Sequence, residues 1–165
     1  MKKFCLTTAI VVFLLFCLNG VQAQPVATNL DQLKLMEQFL GTWQMETGKD
    51  TFLVAEIQQY GKAFVETVYR TIKEKKTWSS IGSYSYSAKE GKFKIFSLNT
   101  SGSYATWIAS FTSEKRWNQE RVENFNPDKI LRKEELVFET PTSLIVTYFN
   151  SDGIKTREVR GIKVK

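Results

Sequence analysis

The sequence predicts an all-β fold: an antiparallel up-and-down β-barrel of about eight to ten strands, with a short N-terminal helix closing one end. Three observations carry that expectation. From Gly41 onward the chain is a succession of short runs rich in Val, Ile, Thr, Phe, Tyr and Trp, separated by turn residues. No segment between two runs is long enough to be a crossover helix, so neighbouring strands must pair antiparallel. A sheet with one apolar face and two open edges is prone to pair with other chains, and closing it into a barrel removes both edges.

At the start of the chain, Lys2 and Lys3 precede an apolar run over residues 9–18, and Val21-Gln22-Ala23 follows it. This is the pattern of a secretory signal peptide over residues 1–23, cleaved near Ala23, and ten apolar residues are too few to cross a bilayer as a helix. The expectation is an exported protein, periplasmic or secreted, whose single barrel domain spans residues 24–165. Both cysteines, Cys5 and Cys17, fall inside that leader. The domain is then thiol-free, so its stability must come from a core rather than from disulfides. Its 142 residues, the 165 of the chain less the 23 of the leader, are enough for one.

Asn29 is a candidate helix cap with Gln32 as its capping-box partner, and Leu30, Leu33, Met36 and Leu40 recur at helical spacing until Gly41 ends the run. Strands are expected at 42–47, 51–60, 63–72, 77–87, 92–98, 104–112, 116–125, 130–139, 144–150 and 154–164. Gly61-Lys62 and Asp152-Gly153 read as two-residue hairpin turns, while 89–91 and 126–129 suit longer ones. In the strands at 51–60 and 63–72, Phe52, Val54, Val65 and Tyr69 share one face and Leu53, Ile57, Phe64 and Val68 the other. Alternation there does not choose an inside.

The net charge of +6 includes Lys2 and Lys3, so the expected domain carries +4. Its lysines are dispersed, with clusters only at 73–76 and 162–165, and an exported domain of this kind is not expected to bind nucleic acid. The chain has no histidine. That excludes a Ser-His-Asp triad, a histidine general base, the common zinc constellations and a histidine-ligated haem; no metal or cofactor is expected.

The later strands carry the candidate site. A four-residue turn over 126–129 sets Glu123 opposite Arg132, Arg121 opposite Glu134 and Trp117 opposite Phe138. A four-residue turn over 140–143 adds Ile145, Thr147 and Phe149 to that face, and the Asp152-Gly153 hairpin adds Glu158 and Arg160. Three readings stand. The charges line a cavity, where they fix a polar group while aromatics hold an apolar body. They form a solvated outer ladder, where each pair contributes about 0.2–1 kcal/mol. Or they are buried and satisfy one another in a filled barrel.

At Phe39-Leu40-Gly41-Thr42-Trp43, a short helix followed by Gly-x-Trp at the opening of the first strand resembles the lipocalin-like, or calycin, superfamily, and is similar to small exported bacterial lipocalin-like domains. The resemblance covers roughly residues 30–165. It implies that the helix closes the barrel floor and that Trp43 packs beneath an arginine of a late strand. Residues 154, 156, 158, 160, 162 and 164 form the more apolar face of the last strand, which selects Arg160 for that clasp.

The resulting expectation is a binding protein rather than an enzyme. Its ligand would be a small amphipathic, partly polar or anionic molecule contacted by Trp117, Arg121, Glu123, Arg132, Glu134, Phe138 and Glu158. The alternative is a cell-envelope interaction protein with a filled barrel, and the least favoured reading is an isomerase or hydrolase using Glu123 and Glu134. In that last reading, each carboxylate's arginine neighbour would weaken it as a base.

Overall fold

The computed structural model describes residues 30–165, so the expected leader and the cap residue Asn29 lie outside the described residues. Ten antiparallel strands close into one barrel: β1 (Gly41–Gly48), β2 (Thr51–Tyr60), β3 (Ala63–Ile72), β4 (Lys75–Ser87), β5 (Lys92–Asn99), β6 (Tyr104–Ser113), β7 (Arg116–Glu123), β8 (Asn126–Thr140), β9 (Ser143–Phe149) and β10 (Lys155–Lys163). Every strand pairs with its neighbours in sequence, and β1 meets β10 to complete the ring. This is the up-and-down barrel read from the sequence, and it is consistent with a lipocalin- or calycin-like fold.

One end is closed by α1 (Gln32–Met36) and the 3-10 turn Glu37–Phe39 that continues it. The cap is Asp31, whose Oδ1 accepts the Lys34 N–H at 3.0 Å. Gln32 is therefore not a capping-box partner. Its buried amide instead donates to the Phe111 carbonyl at 3.0 Å and accepts the Phe111 N–H at 2.8 Å. Strand β5 pairs with β6 only as far as Ala109, so the Gln32 amide replaces the strand partner that Phe111 lacks.

Met36 and Phe39 project from this segment into a floor of Trp43, Phe111, Trp117 and Phe138, all buried. Phe39 lies 4.9 Å from Phe138 and 5.5 Å from Trp117, ring centre to ring centre, in edge-on geometry. Gly41 turns the chain from helix to strand at φ +109°, and a Cβ there would stand 2.2 Å from the Lys165 carbonyl oxygen. That oxygen accepts the Thr42 N–H at 2.8 Å, so the glycine of Gly-x-Trp lets the two ends of the barrel wall meet.

The Trp43 indole donates to the Phe39 carbonyl at 2.8 Å, and the cation over its face is Lys163, 5.0 Å from the ring centre. Lys163 also donates to the Gln38 carbonyl, and its partial burial lowers its pKa. Arg160, the expected clasp, points outward and pairs with Glu139 at 3.1 Å. A single register difference explains this. The β8–β9 turn is the two residues Pro141-Thr142, with Thr140 opposite Ser143, and a bulge at Glu139 then sets Phe138 opposite Leu144 rather than Ile145. The expected register lacks that bulge and so lies one residue out of step, and one residue reverses every side chain. Leu144, Val146 and Tyr148 therefore face inward instead of Ile145, Thr147 and Phe149. The expected pairing of β10 with β9 holds, with Glu158 opposite Thr147 and Arg160 opposite Ile145, and carries both charges to the outer face. The inward face of β10 is Arg157, Val159, Gly161 and Lys163, which reads as polar because Gly161 yields its space to Leu144 and Met45.

Candidate functional site

Above the aromatic floor the barrel encloses a cavity of about 620 Å³, open at the end away from the helix. Its lower wall is apolar, formed by Met36, Ala55, Ile57, Ile95, Leu136 and Val146. Charge enters one step higher. On β7 and β8 the turn is Asn124-Phe125, both at positive φ, and together with the bulges around Val122 it leaves the pairing two residues from that of a four-residue turn at 126–129. Arg121 thus stands opposite Arg132 and Gln119 opposite Glu134, rather than Arg121 opposite Glu134. A two-residue difference preserves the face, so Trp117, Arg121, Arg132 and Glu134 all line the cavity.

The remaining candidates are placed elsewhere. Phe138 shares the inward face but lies in the floor, 5.9 Å from Trp43 ring to ring. Glu123 is carried out of the cavity by the bulged hairpin tip and pairs with Lys129 at 2.6 Å. Glu158 pairs with Lys155 at 2.7 Å on the outer face, and that ammonium lowers its pKa. Glu123 and Glu134 therefore do not form a carboxylate pair.

A chain of hydrogen bonds organises the charged wall. The Trp117 indole N–H donates to Gln119 Oε1 at 3.0 Å, which fixes the orientation of the amide, and Gln119 Nε2 donates to Glu134 at 2.6 Å. The other Glu134 oxygen pairs with Arg132 at 2.6 Å. Burial raises the Glu134 pKa, against the pull of Arg132, Gln119 and Arg121. The Arg132 guanidinium lies 4.9 Å from the Trp107 ring centre and 5.8 Å from that of Tyr148.

The opposite wall holds a group that the sequence reading missed. Glu66, between Phe64 and Val68 on β3, points inward and accepts the Tyr84 hydroxyl at 2.7 Å. Gly82 stands across from it on β4, leaving room for its carboxylate. Burial pushes the Glu66 pKa up to about 7, helped by the charge of Glu134 and opposed by the Tyr84 hydrogen bond. Burial and the nearby Glu66 push Tyr84 well above its ordinary value, while burial and Glu134 raise Tyr148 to about 12. Arg70 and Arg157 complete the rim beside Trp78 and Tyr104. Alternation from Phe64 and Val68 points to Glu66, and alternation from Trp117 and Arg121 points to Gln119; each becomes readable once the inner face is known.

The fold and the site thus define a ten-stranded barrel with a ligand-sized interior, apolar at the base and charged toward the mouth. No protein-family model matches the chain, and neither does any curated protein.

Proposed function

We propose that the protein is an exported lipocalin-like binding protein that carries a small amphipathic, partly polar molecule inside its barrel. The observation that carries this reading is the cavity of about 620 Å³, with an apolar base and convergent polar groups above it. Interiors of roughly 300–1,000 Å³ with that distribution suit one small organic ligand, whereas a filled barrel offers no such space. No catalytic role is assigned: Glu134 is held by Arg132 and Gln119, and Glu123 lies on the other side of the wall. The test is native mass spectrometry of protein purified from its own cellular compartment, beside a Ser97→Trp variant that narrows the cavity from β5. The wild type should retain a small mass that denaturation releases, and the variant should lose it. A folded wild type that stays free of ligand across several extracts would refute the carrier role.

A second reading, an envelope interaction protein, is favoured by one outer patch. Ile81, Phe96, Leu98 and Tyr104 on neighbouring strands are each between 43% and 54% exposed, and Phe96 stacks on Tyr104 at 5.7 Å. If this patch docks on the envelope, a Phe96→Ser/Leu98→Ser variant should move from the membrane to the soluble fraction while keeping its ligand. An unchanged distribution would remove the reading.

A further inference from the structure

Resting on the carrier reading, we propose that the cavity selects an anionic ligand with a flat apolar body, its negative group held by the Arg121 and Arg132 guanidiniums and its body on the Trp107 side of the barrel. Four guanidiniums, of Arg70, Arg121, Arg132 and Arg157, line the cavity against two carboxylates, of Glu66 and Glu134. Among the described residues only Arg132 of the four has a carboxylate partner. The interior therefore carries an excess of positive charge behind low-dielectric walls, where an opposite charge is attracted more strongly than at an open surface.

The arrangement of the arginines is as informative as their number. Arg121 and Arg132 are directly opposite across the β7–β8 ladder on the inward face, and like charges so placed repel. Glu134 meets part of that cost through Arg132, and among the described residues no carboxylate pairs with Arg121. A guanidinium presents its donors in a fixed planar fork, so two of them side by side match the oxygens of a carboxylate, sulfonate or phosphate. The adjoining surface is aromatic: Trp107 and Tyr148 already flank Arg132, and Trp78 faces the same space from β4. Aromatic faces beside the guanidiniums favour a planar apolar body over a flexible chain. Glu66 sits across the cavity as a negative charge that an anion must tolerate, so removing its charge without changing its shape should strengthen binding.

Two fluorescent probes of one shape test this: anilinonaphthalene sulfonate, an anion, and phenylnaphthylamine, its neutral counterpart. The wild type should bind the sulfonate about tenfold or more tightly than the neutral probe. Arg121→Gln, which orphans no carboxylate, should cut that preference at least about threefold. Glu66→Gln, assayed at mildly alkaline pH, should raise it about twofold. Opposite signs from two cavity variants with native circular dichroism cannot come from a general loss of packing. Equal affinity for the two probes would overturn the anionic ligand while leaving the carrier reading in place. A preference that survives in an Arg121→Gln/Arg132→Gln variant would place the sulfonate outside the cavity and also overturn it. Failure of the folded protein to bind either probe would overturn both readings.

Discussion

Replacing Glu66 with glutamine should flatten the pH dependence of folding stability. The carboxyl of Glu66 has an ordinary pKa of 4.5 in the unfolded chain and is raised to about 7 in the barrel. Between those values the folded state keeps a proton that the unfolded chain has released, so stability falls as pH rises. Each pKa unit corresponds to about 1.4 kcal/mol, so the shift contributes about 3 kcal/mol of stability, fully present below pH ~4.5 and lost by pH ~7. Water in the cavity reduces this, so the expected difference is about 2–3 kcal/mol. Glutamine keeps an oxygen for the Tyr84 hydroxyl and carries no charge. Urea unfolding followed by tryptophan fluorescence near pH ~5 and pH ~8 is the assay, and the slope against urea should be unchanged. The wild type should lose about 2–3 kcal/mol more than the variant across that range. Parallel loss in the two proteins would refute the burial argument for Glu66, since the contribution of Glu134 is common to both.

Gly41→Ala should cost about 2 kcal/mol or more in thermal unfolding, because its Cβ meets the Lys165 carbonyl and its φ of +109° suits only glycine. Gln32→Leu strands both Phe111 backbone groups in the floor and should cost about 2–4 kcal/mol, with the loss of Phe111 N–H protection visible in hydrogen exchange. Arg160→Met should stay within about 0.5 kcal/mol of the wild type, as expected of an exposed ion pair, whereas Lys163→Ala should cost about 1–2 kcal/mol. The reverse order in urea unfolding would restore Arg160 as the cover of Trp43.

Strand identity was legible because β-branched and aromatic runs end at recognisable turns: β2 and β3 occupy 51–60 and 63–72, joined at Gly61-Lys62. Register was less legible because it depends on where a turn sits and on bulges beside it, which hydrophobic alternation does not mark. At the β7–β8 hairpin the Asn124-Phe125 turn and the bulges beside it moved the pairing by two residues in all and preserved the face, so Arg121, Arg132 and Glu134 stayed in the site. The bulge at Glu139, just before the Pro141-Thr142 turn, shifted β9 by one residue and reversed the face, which moved Glu158 and Arg160 outside and hid Arg157 and Tyr148. Glu66 was hidden for another reason: β3 carries large apolar side chains on both faces, so its hydrophobic pattern does not distinguish a buried carboxylate from a solvated one.

The closing pair of the barrel sets the order in which it can assemble. Nine pairings join neighbouring strands and can each zip from its own turn, but the tenth brings Trp43 to Lys163 across almost the whole described chain. That contact carries the loop-closure entropy of the ring and must await the synthesis of β10. The Gln32 clasp needs only the chain as far as β6, so the helix can be seated before the wall is complete. During that interval β1 and the last strand formed are open edges available to another chain, and crowding at this stage is where misassembly would begin.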